Sequence, residues 1–510
     1  MTDVSSTGAP RPSAVAPVAV ARIAAQLGLA DPGPPTADPV RGVSLASTRV
    51  APGDLYAALP GARTHGARFS TQAVDGGAVA VLTDPEGGSL ASAGGVPVLV
   101  VNDPRSVLGD LSALIYGHPA DRLDVLAVTG TQGKTTTTSL AVAGLAGAGL
   151  AGGLIGTIGT EIAGDRVSSF LTTPEAPELH ALFAVMLERG IKACAMEVSS
   201  HALVQRRVDG VRFRVAAFLN LGRDHLDYHA DMAAYFAAKA SLFTVARASR
   251  GLVNVDDRYG RRLVSEAEIP MVTFSAAGAE ADWRATDIVA GPAGSTFTVT
   301  SPEDGRGRVQ VPLPGAFNVA NALAAVALLV EAGYALEPVI AGIAASRAVP
   351  GRMETVDEGQ DFAALVDYAH KPDALQAVLD ALRQVTRARL LIVIGAGGER
   401  DRGKRAVMGE IAARMADVVV VTDDNPRTEE PGQIRAQLLS GARASGAAVD
   451  LHEVADRRAA IELAVDLARA GDCVVVAGKG HEKGQEVAGV VHPLDDREVL
   501  RLSIQRAAAR

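Results

Sequence analysis

The chain has 510 residues, 48% of them hydrophobic and 21% charged, with a formal net charge of −9. At ~150 residues per domain this length predicts about three domains, each large enough for its own core. The negative balance argues against a general nucleic-acid or anionic-membrane binder, but it leaves room for a local basic pocket around a phosphorylated small molecule.

Residues 1–38 are rich in Pro, Ala, Ser and Thr, which predicts a flexible tail, with at most a short helix over residues 19–27 stopped by Gly28. The N-terminus lacks the basic-then-apolar pattern of a signal peptide. A small domain is expected over 39–120, with strands at 54–59, 78–82 and 98–101. A second domain, 121–350, opens with an apolar strand at 123–128, then a glycine-rich turn and a helix. Further strands at 193–198 and 215–219, a helix at 232–243 and a long Ala-rich helix at 319–332 follow. The last domain, 351–510, carries apolar strands at 390–394, 418–421 and 473–477, each ending in a polar or glycine-rich loop. Strands alternating with Ala-rich helices predict an α/β protein whose ligands bind at the carboxyl ends of parallel strands. Cys194 and Cys473 lie far apart in apolar runs, which predicts buried free thiols and a reducing compartment. No apolar run approaches ~18 residues, so no membrane insertion is expected. These features together predict a cytoplasmic protein.

The turn after the strand at 123–128 reads Thr129-Gly130-Thr131-Gln132-Gly133-Lys134-Thr135-Thr136. Glycines between a strand and a helix aim backbone N–H groups and the positive helix end at one spot, which suits phosphate. Lys134 adds a cation and Thr135 a hydroxyl for Mg²⁺, so a nucleoside triphosphate is the expected ligand. The usual P-loop glycine is absent, because position 128 is Val.

Other polar clusters follow strands. Glu197 ends one strand, where it suits either Mg²⁺ or the solvent. Arg223, Asp224, His225, Asp227 and His229 crowd one loop, in which His225 is a candidate metal ligand and Asp224 could orient its ring. Lys239 on an amphipathic helix has the local signature of a surface lysine. Asn318 suits either an adenine edge or a helix N-cap. Asp367, Tyr368 and His370 end a strand, as hydroxyl and phosphate contacts would or as an ordinary polar strand end would. Gly395-Ala396-Gly397-Gly398 starts like a dinucleotide fingerprint, but the later glycine spacing fails, so no redox cofactor is expected. The run Asp424-Asn425-Pro426-Arg427 and the run Gly478-Lys479-Gly480-His481-Glu482 suit either plain turns or a zwitterionic ligand.

In this order the motifs resemble the Mur ligase family of ATP-dependent amide-bond-forming enzymes, over nearly the whole chain after the tail. The resemblance implies a small α/β UDP-binding domain, a central P-loop-type domain on a mostly parallel sheet, and a Rossmann-like C-terminal domain. It implies that Gly130, Thr131, Gln132, Gly133, Lys134, Thr135 and Thr136 cradle the ATP phosphates. Asn318 and Asp367 would contact the nucleoside, with Arg352 and His370 near the phosphates. Thr135, Glu197, His225 and a carbamylated Lys239 would hold Mg²⁺. The implied catalytic set is Lys134, Glu197, His225 and Lys239. Ser47, Thr48 and Thr64 would hold the UDP end of the substrate. Thr160, Thr172, Thr173, Ser199, Gln205 and Arg207 would hold its muramoyl-dipeptide end. Arg400, Asp424, Asn425, Pro426, Arg427, Gly478 and Glu482 would form the amino-acid pocket.

Arg427 resembles the diaminopimelate form of that pocket, because Arg pairs bidentately with a second carboxylate that lysine lacks. The implied substrates are UDP-N-acetylmuramoyl-L-alanyl-D-glutamate and meso-diaminopimelate, used by a monomer. The chain departs from the family pattern at Gln132, Thr160, Lys371 and Glu399. Two competing readings are another ligase of the superfamily, lysine-adding or folylpolyglutamate-type, and a non-catalytic nucleotide switch. The UDP-type first domain and Arg427 oppose the former. Glu197, His225 and Lys239 are superfluous for the latter.

Overall fold

The computed structural model describes residues 10–30, 38–167, 171–291, 294–303, 305–347, 349–399 and 401–509. Among them, three sheets of four, eleven and six strands form the cores of three successive α/β units, and a two-stranded hairpin lies beside the last. The first sheet is parallel, in the order Gly42–Ser44, Asp54–Ala57, Ala80–Thr83 and Val98–Val100. Part of the expected tail belongs to it. Val18 bridges Val40, and the helix Val20–Gln26 buries Ile23 and Ala24 in the same core. Composition had suggested looseness, but Val18, Val20 and Ile23 supply an apolar stripe that burial holds down. Residues 1–9 and 31–37 lie outside the described residues.

The central sheet is parallel through the strands Gly152–Gly156, Ala193–Glu197, Asp124–Thr129, Val215–Phe218, Gly251–Asn254 and Met271–Ser275. Antiparallel strands extend both edges: Gly159–Ile162 and Asp165–Val167 on one side, and Gly294–Thr300 and Arg306–Val311, beyond Trp283–Gly291, on the other. The strands at the middle of this sheet are buried on both faces. In Asp124–Thr129, Leu126 and Val128 face one core and Val125 and Ala127 the other. Helices Lys134–Gly147 and Ala316–Glu331 cover the first face, and Ala176–Glu188 and Met232–Ala240 the second. Burial on both faces explains the near-continuous apolar runs.

The C-terminal sheet runs Glu354–Thr355, Ala363–Asp367, Cys473–Ala477, Leu390–Ile394, Val418–Val421, Asp450–Glu453, parallel except at its first strand. This is the expected Rossmann-like layer, with helices on both faces. Cys194 and Cys473 are free and buried, and burial pushes the Cys473 thiol up to about 12.

Candidate active site

The phosphate loop leaves the buried strand Asp124–Thr129 and enters the helix Lys134–Gly147 at its N-cap, Gly133. Gly133 has φ +87°, and a Cβ there would lie 2.3 Å from the Asn321 side-chain oxygen, so a side chain at this position would be strained and would push Asn321 aside. Asn220 holds the loop from below. Its Oδ1 accepts from the amides of Thr131 at 3.1 Å and Gln132 at 2.9 Å. Lys134 Nζ donates to the carbonyls of Gly130 at 2.8 Å and Thr131 at 3.2 Å. Burial pulls its pKa down to about 8 against the attraction of Glu197. A lysine so placed exchanges weak loop contacts for a phosphate at little cost.

Glu197 is 1% exposed, so it is not a surface charge. Its Oε1 accepts from Thr135 Oγ1 at 2.9 Å and the Thr157 amide at 2.8 Å, and its Oε2 from Thr157 Oγ1 at 3.1 Å. Lys239 is not on the surface either. It is 1% exposed, and its Nζ donates to Gly130 O at 3.0 Å and Thr129 Oγ1 at 3.4 Å. Burial, with Lys134 nearby, holds its pKa well below the usual lysine range. Amphipathicity alone suggested a surface residue because the phosphate loop, not solvent, covers that face.

Asp224 binds the His225 amide through Oδ1 at 2.9 Å and the ring Nε2 through Oδ2 at 3.2 Å, so it does orient this ring. Burial lowers His225 to about 4, which keeps a nitrogen lone pair free at neutral pH. His201 and Tyr235 pack edge-on against it, and Tyr228 packs on His201. Among the described residues no three His, Cys, Asp or Glu side chains converge into a ready-made metal cage. The local donors are the Glu197 carboxylate and the Thr135 hydroxyl. Such a hard, sparse oxygen set fits Mg²⁺ whose shell phosphate oxygens and water complete.

The C-terminal domain reaches this loop. Arg352 Nη2 donates to Thr135 Oγ1 at 3.2 Å while its guanidinium lies over Tyr368. Lys371 pairs with Asp224. Asp367 is buried, and its oxygens accept the amides of Met353 at 2.7 Å and Ala369 at 2.8 Å. His370, lowered to about 3 by burial, meets the Tyr368 carbonyl through Nδ1 at 2.7 Å. Asn318 is not the N-cap of its helix; Gly315 is. Asn318 sits in the first turn, donates to Pro314 O at 2.7 Å and accepts from Asn321 at 3.1 Å.

Thr172, Thr173, Ser199, Gln205 and Arg207 form one continuous network. Thr172 Oγ1 meets Thr157 Oγ1 at 3.1 Å, and Thr173 Oγ1 donates to Glu197 O at 2.9 Å. Ser199 N donates to Thr173 Oγ1, and Arg207 donates to Thr173 O at 3.2 Å and Gln205 Oε1 at 2.5 Å. Thr160, also buried, has no partner for its hydroxyl. Ser47 and Thr48 lie in the short helical turn Ser47–Arg49, where Ser47 bonds Gln72 at 2.8 Å, and Thr64 lies in an exposed loop. Arg49 lies close enough to Glu178 to oppose the effect of burial on it, so this turn faces the central domain.

A cavity of about 770 Å³ separates the central and C-terminal domains. Thr157, Asn425, Arg427, His481, Glu482 and Glu486 contribute to its walls. Asn425 Nδ2 donates to Glu482 Oε2 at 2.8 Å, and Arg427 Nη1 donates to Gly398 O at 2.5 Å. Gly478, at φ +118°, passes Asp424 so closely that a Cβ would sit 2.5 Å from Asp424 Oδ2. Arg400 lies outside the described residues.

Several residues here escaped sequence reasoning. Thr157 joins Glu197, Thr172 and the cavity, and the one available signal was its place at the carboxyl end of the strand Gly152–Gly156. Glu175 bridges Arg207 at 3.1 Å and Arg105 at 2.9 Å, and Tyr235 meets Thr131 Oγ1 at 3.1 Å. Neither carries a local motif.

The fold and this arrangement of phosphate loop, buried acid and buried lysine define an ATP-dependent amide-bond-forming ligase, and the chain belongs to the Mur ligase family. Three family models match in order: the Mur ligase family catalytic domain over residues 39–116, the Mur ligase middle domain over 128–329, and the Mur ligase glutamate ligase domain over 351–480. The chain is 54% identical to the UDP-N-acetylmuramoyl-L-alanyl-D-glutamate–2,6-diaminopimelate ligase of Streptomyces avermitilis, covering 98% of this chain and 99% of that one. It is 50% identical to the protein of the same name from Corynebacterium glutamicum, covering 88% and 89% of the two chains. A solved structure of a ligase with that name superposes with a TM-score of 0.67 at 34% identity, covering 92% of this chain and 96% of that one.

Proposed function

We propose that the chain adds meso-diaminopimelate to UDP-N-acetylmuramoyl-L-alanyl-D-glutamate, with ATP, as a step in peptidoglycan precursor synthesis in the cytoplasm. One observation carries this reading: Thr157 lines the cavity that holds Arg427, while its amide and hydroxyl grip Glu197 beside the phosphate loop. Phosphoryl transfer and amino-acid binding therefore share a wall. The names of the relatives agree with that cavity, where Arg427 offers a fork for a second carboxylate.

In this reaction the substrate's terminal carboxylate attacks the γ-phosphorus of ATP, giving an acyl phosphate and ADP. The amino group of diaminopimelate then attacks the acyl carbon. The tetrahedral intermediate expels phosphate as the amine loses a proton. Lys134 and the positive end of the helix Lys134–Gly147 oppose the charge on the transferring group. Thr135, Glu197, His225 and a carbamylated Lys239 would hold Mg²⁺, which supplies further neutralisation of that charge. Thr172, Thr173, Ser199, Gln205 and Arg207 orient the dipeptide end, and Ser47, Thr48 and Thr64 the UDP end. Asn318, Asp367, Arg352 and His370 serve the nucleotide. Arg400, Asp424, Asn425, Pro426, Arg427, Gly478 and Glu482 receive the amino acid. Arg352 and Lys371 bring the C-terminal domain down on the loop, which keeps water from the acyl phosphate. The two buried thiols agree with a reducing compartment, and no described helix is long and apolar enough to cross a membrane. The enzyme acts as a monomer in this reading.

The test is phosphate release from ATP with the UDP-muramoyl dipeptide present, adding diaminopimelate or lysine. Release is expected with diaminopimelate and not with lysine. Release indifferent to both amino acids removes the ligase reading, and equal use of lysine removes the role of Arg427.

A further inference from the structure

The helix Met232–Ala240 touches the phosphate loop at two neighbouring residues. Tyr235 and Lys239 stand one turn apart on the same face of this helix. Lys239 Nζ donates to Gly130 O at 3.0 Å, and the Tyr235 hydroxyl lies 3.1 Å from Thr131 Oγ1. The Lys239 contact uses the nitrogen that the proposed reaction needs for its carbamate. The Tyr235 contact has no competing use.

Tyr235 is 1% exposed. Its ring faces Lys239, with Nζ 4.9 Å from the ring centroid, and stacks on His229 at 4.9 Å and 25°. His229 is fixed in turn by Ser200 Oγ, 2.9 Å from its Nε2. Core packing accounts for the ring, which shares an apolar cluster with Phe218 and Phe243. It does not account for the hydroxyl. A buried hydroxyl is unfavourable unless it is bonded, and phenylalanine would fill the same space without one.

The partner of that hydroxyl is itself a junction. Thr131 Oγ1 accepts from the Gly222 amide at 3.1 Å and donates to the Gly222 carbonyl at 3.4 Å, so the Tyr235 O–H is the donor to it. The Thr131 amide is held by Asn220 Oδ1. Asn220 and Gly222 therefore tie Thr131 to the segment that follows the strand Val215–Phe218, and Tyr235 ties it to the helix that carries Lys239.

Resting on the reading of this loop as the ATP site, we infer that Tyr235 is a positioning residue for phosphoryl transfer. Its hydroxyl fixes Thr131 and so sets the spacing between the phosphate loop and Lys239. It acts through Thr131 and not by contact with the nucleotide. Nucleotide binding is shared among many loop groups, whereas transfer depends on one alignment. Loss of this anchor therefore shows in turnover more than in affinity.

Phosphate release is measured for the unaltered chain, Tyr235→Phe, Thr131→Ala and the double variant, with UDP-muramoyl dipeptide and diaminopimelate present. Affinity for a non-hydrolysable ATP analogue is read by calorimetry, and thermal unfolding is followed in parallel. Tyr235→Phe should lower kcat about tenfold or more. KM for the dipeptide and for diaminopimelate, and affinity for the analogue, should stay within about threefold, with unchanged Tm. In the Thr131→Ala background the same change should lower kcat by less than about twofold. An unaltered kcat in Tyr235→Phe overturns the inference. So does an equal fall in both backgrounds, which would show that the hydroxyl does not act through Thr131. A lowered Tm with all three substrates weakened alike would reduce Tyr235 to core support and also overturns it. Absence of ATP-dependent release in the unaltered chain removes the reading of the loop itself, and the inference with it.

Discussion

Lys239 shows how much a single side chain owes to its surroundings. A buried lysine with no carboxylate in contact is costly as a cation, and burial, with Lys134 nearby, holds its pKa well below the usual lysine range. A neutral amine is the form that adds carbon dioxide, and the product is an anionic oxygen ligand where an ammonium would repel Mg²⁺. Lys239→Ala is therefore expected to lower turnover at least ~100-fold, the scale of losing a metal-supporting group. Added short carboxylates should restore part of it. Turnover equal to the unaltered chain removes the carbamate role. The sequence around Lys239, an Ala-rich amphipathic helix, contains nothing that distinguishes it from a solvated lysine. Glu197 was similarly ambiguous until its hydrogen bonds to Thr135 and Thr157 were visible. Lys134 was not ambiguous, because Gly130 and Gly133 before it and a strand-to-helix switch leave a phosphate loop little alternative.

At the level of elements, strand ends carry the site, and buried pairs hold those ends in place. Arg457 and Asp496 are both fully buried and meet at 2.7 Å. Arg457 Nη2 also donates to Ala477 O at 2.9 Å, at the end of the strand that delivers Gly478. Arg457→Met strands the Asp496 carboxylate and is expected to destabilise the protein by ~3–5 kcal/mol. Arg457→Met combined with Asp496→Leu should cost clearly less. Urea unfolding of the variants, at equal m-value, measures both, and an additive double variant contradicts this account of the pair. The strands at 390–394, 418–421 and 473–477 were readable to the residue because both faces are apolar. The antiparallel strands Gly294–Thr300 and Arg306–Val311 were not, since their half-exposed, Thr- and Arg-bearing pattern blends into loop composition.

Across the whole molecule, Lys371 with Asp224 is a charged contact between the central and C-terminal domains. Lys371→Thr is expected to favour the open arrangement. A double-mutant cycle with Asp224→Asn, read by energy transfer between labels on the central and C-terminal domains, should give a coupling on the order of 0.5–1 kcal/mol. A coupling of zero would show that this pair does not hold the two domains together.

Stability as a whole should also fall on mild acidification. Burial lowers His180 and His481 to about 4, whereas an unfolded histidine titrates near ~6.5. Below that value the unfolded chain binds protons first, so stability is fully present above about pH 6.5 and declines as pH falls toward about 4. His180→Gln, at a site whose Nδ1 has no partner, should flatten the fall of Tm over this window. Equal slopes in both proteins would show that His180 does not contribute.

Local pattern alone determined the phosphate loop, the α/β layering and the order of the motifs, because each depends on neighbours within a few residues. The tertiary structure decided which side chains are buried together. It turned Lys239 and Glu197 from possible surface charges into buried groups beneath the phosphate loop. It drew Val18, Val20, Ile23 and Ala24 into the first core and set Glu486 beside Arg427. Burial and cross-domain distance are properties of packing, and packing joins residues that lie far apart along the chain.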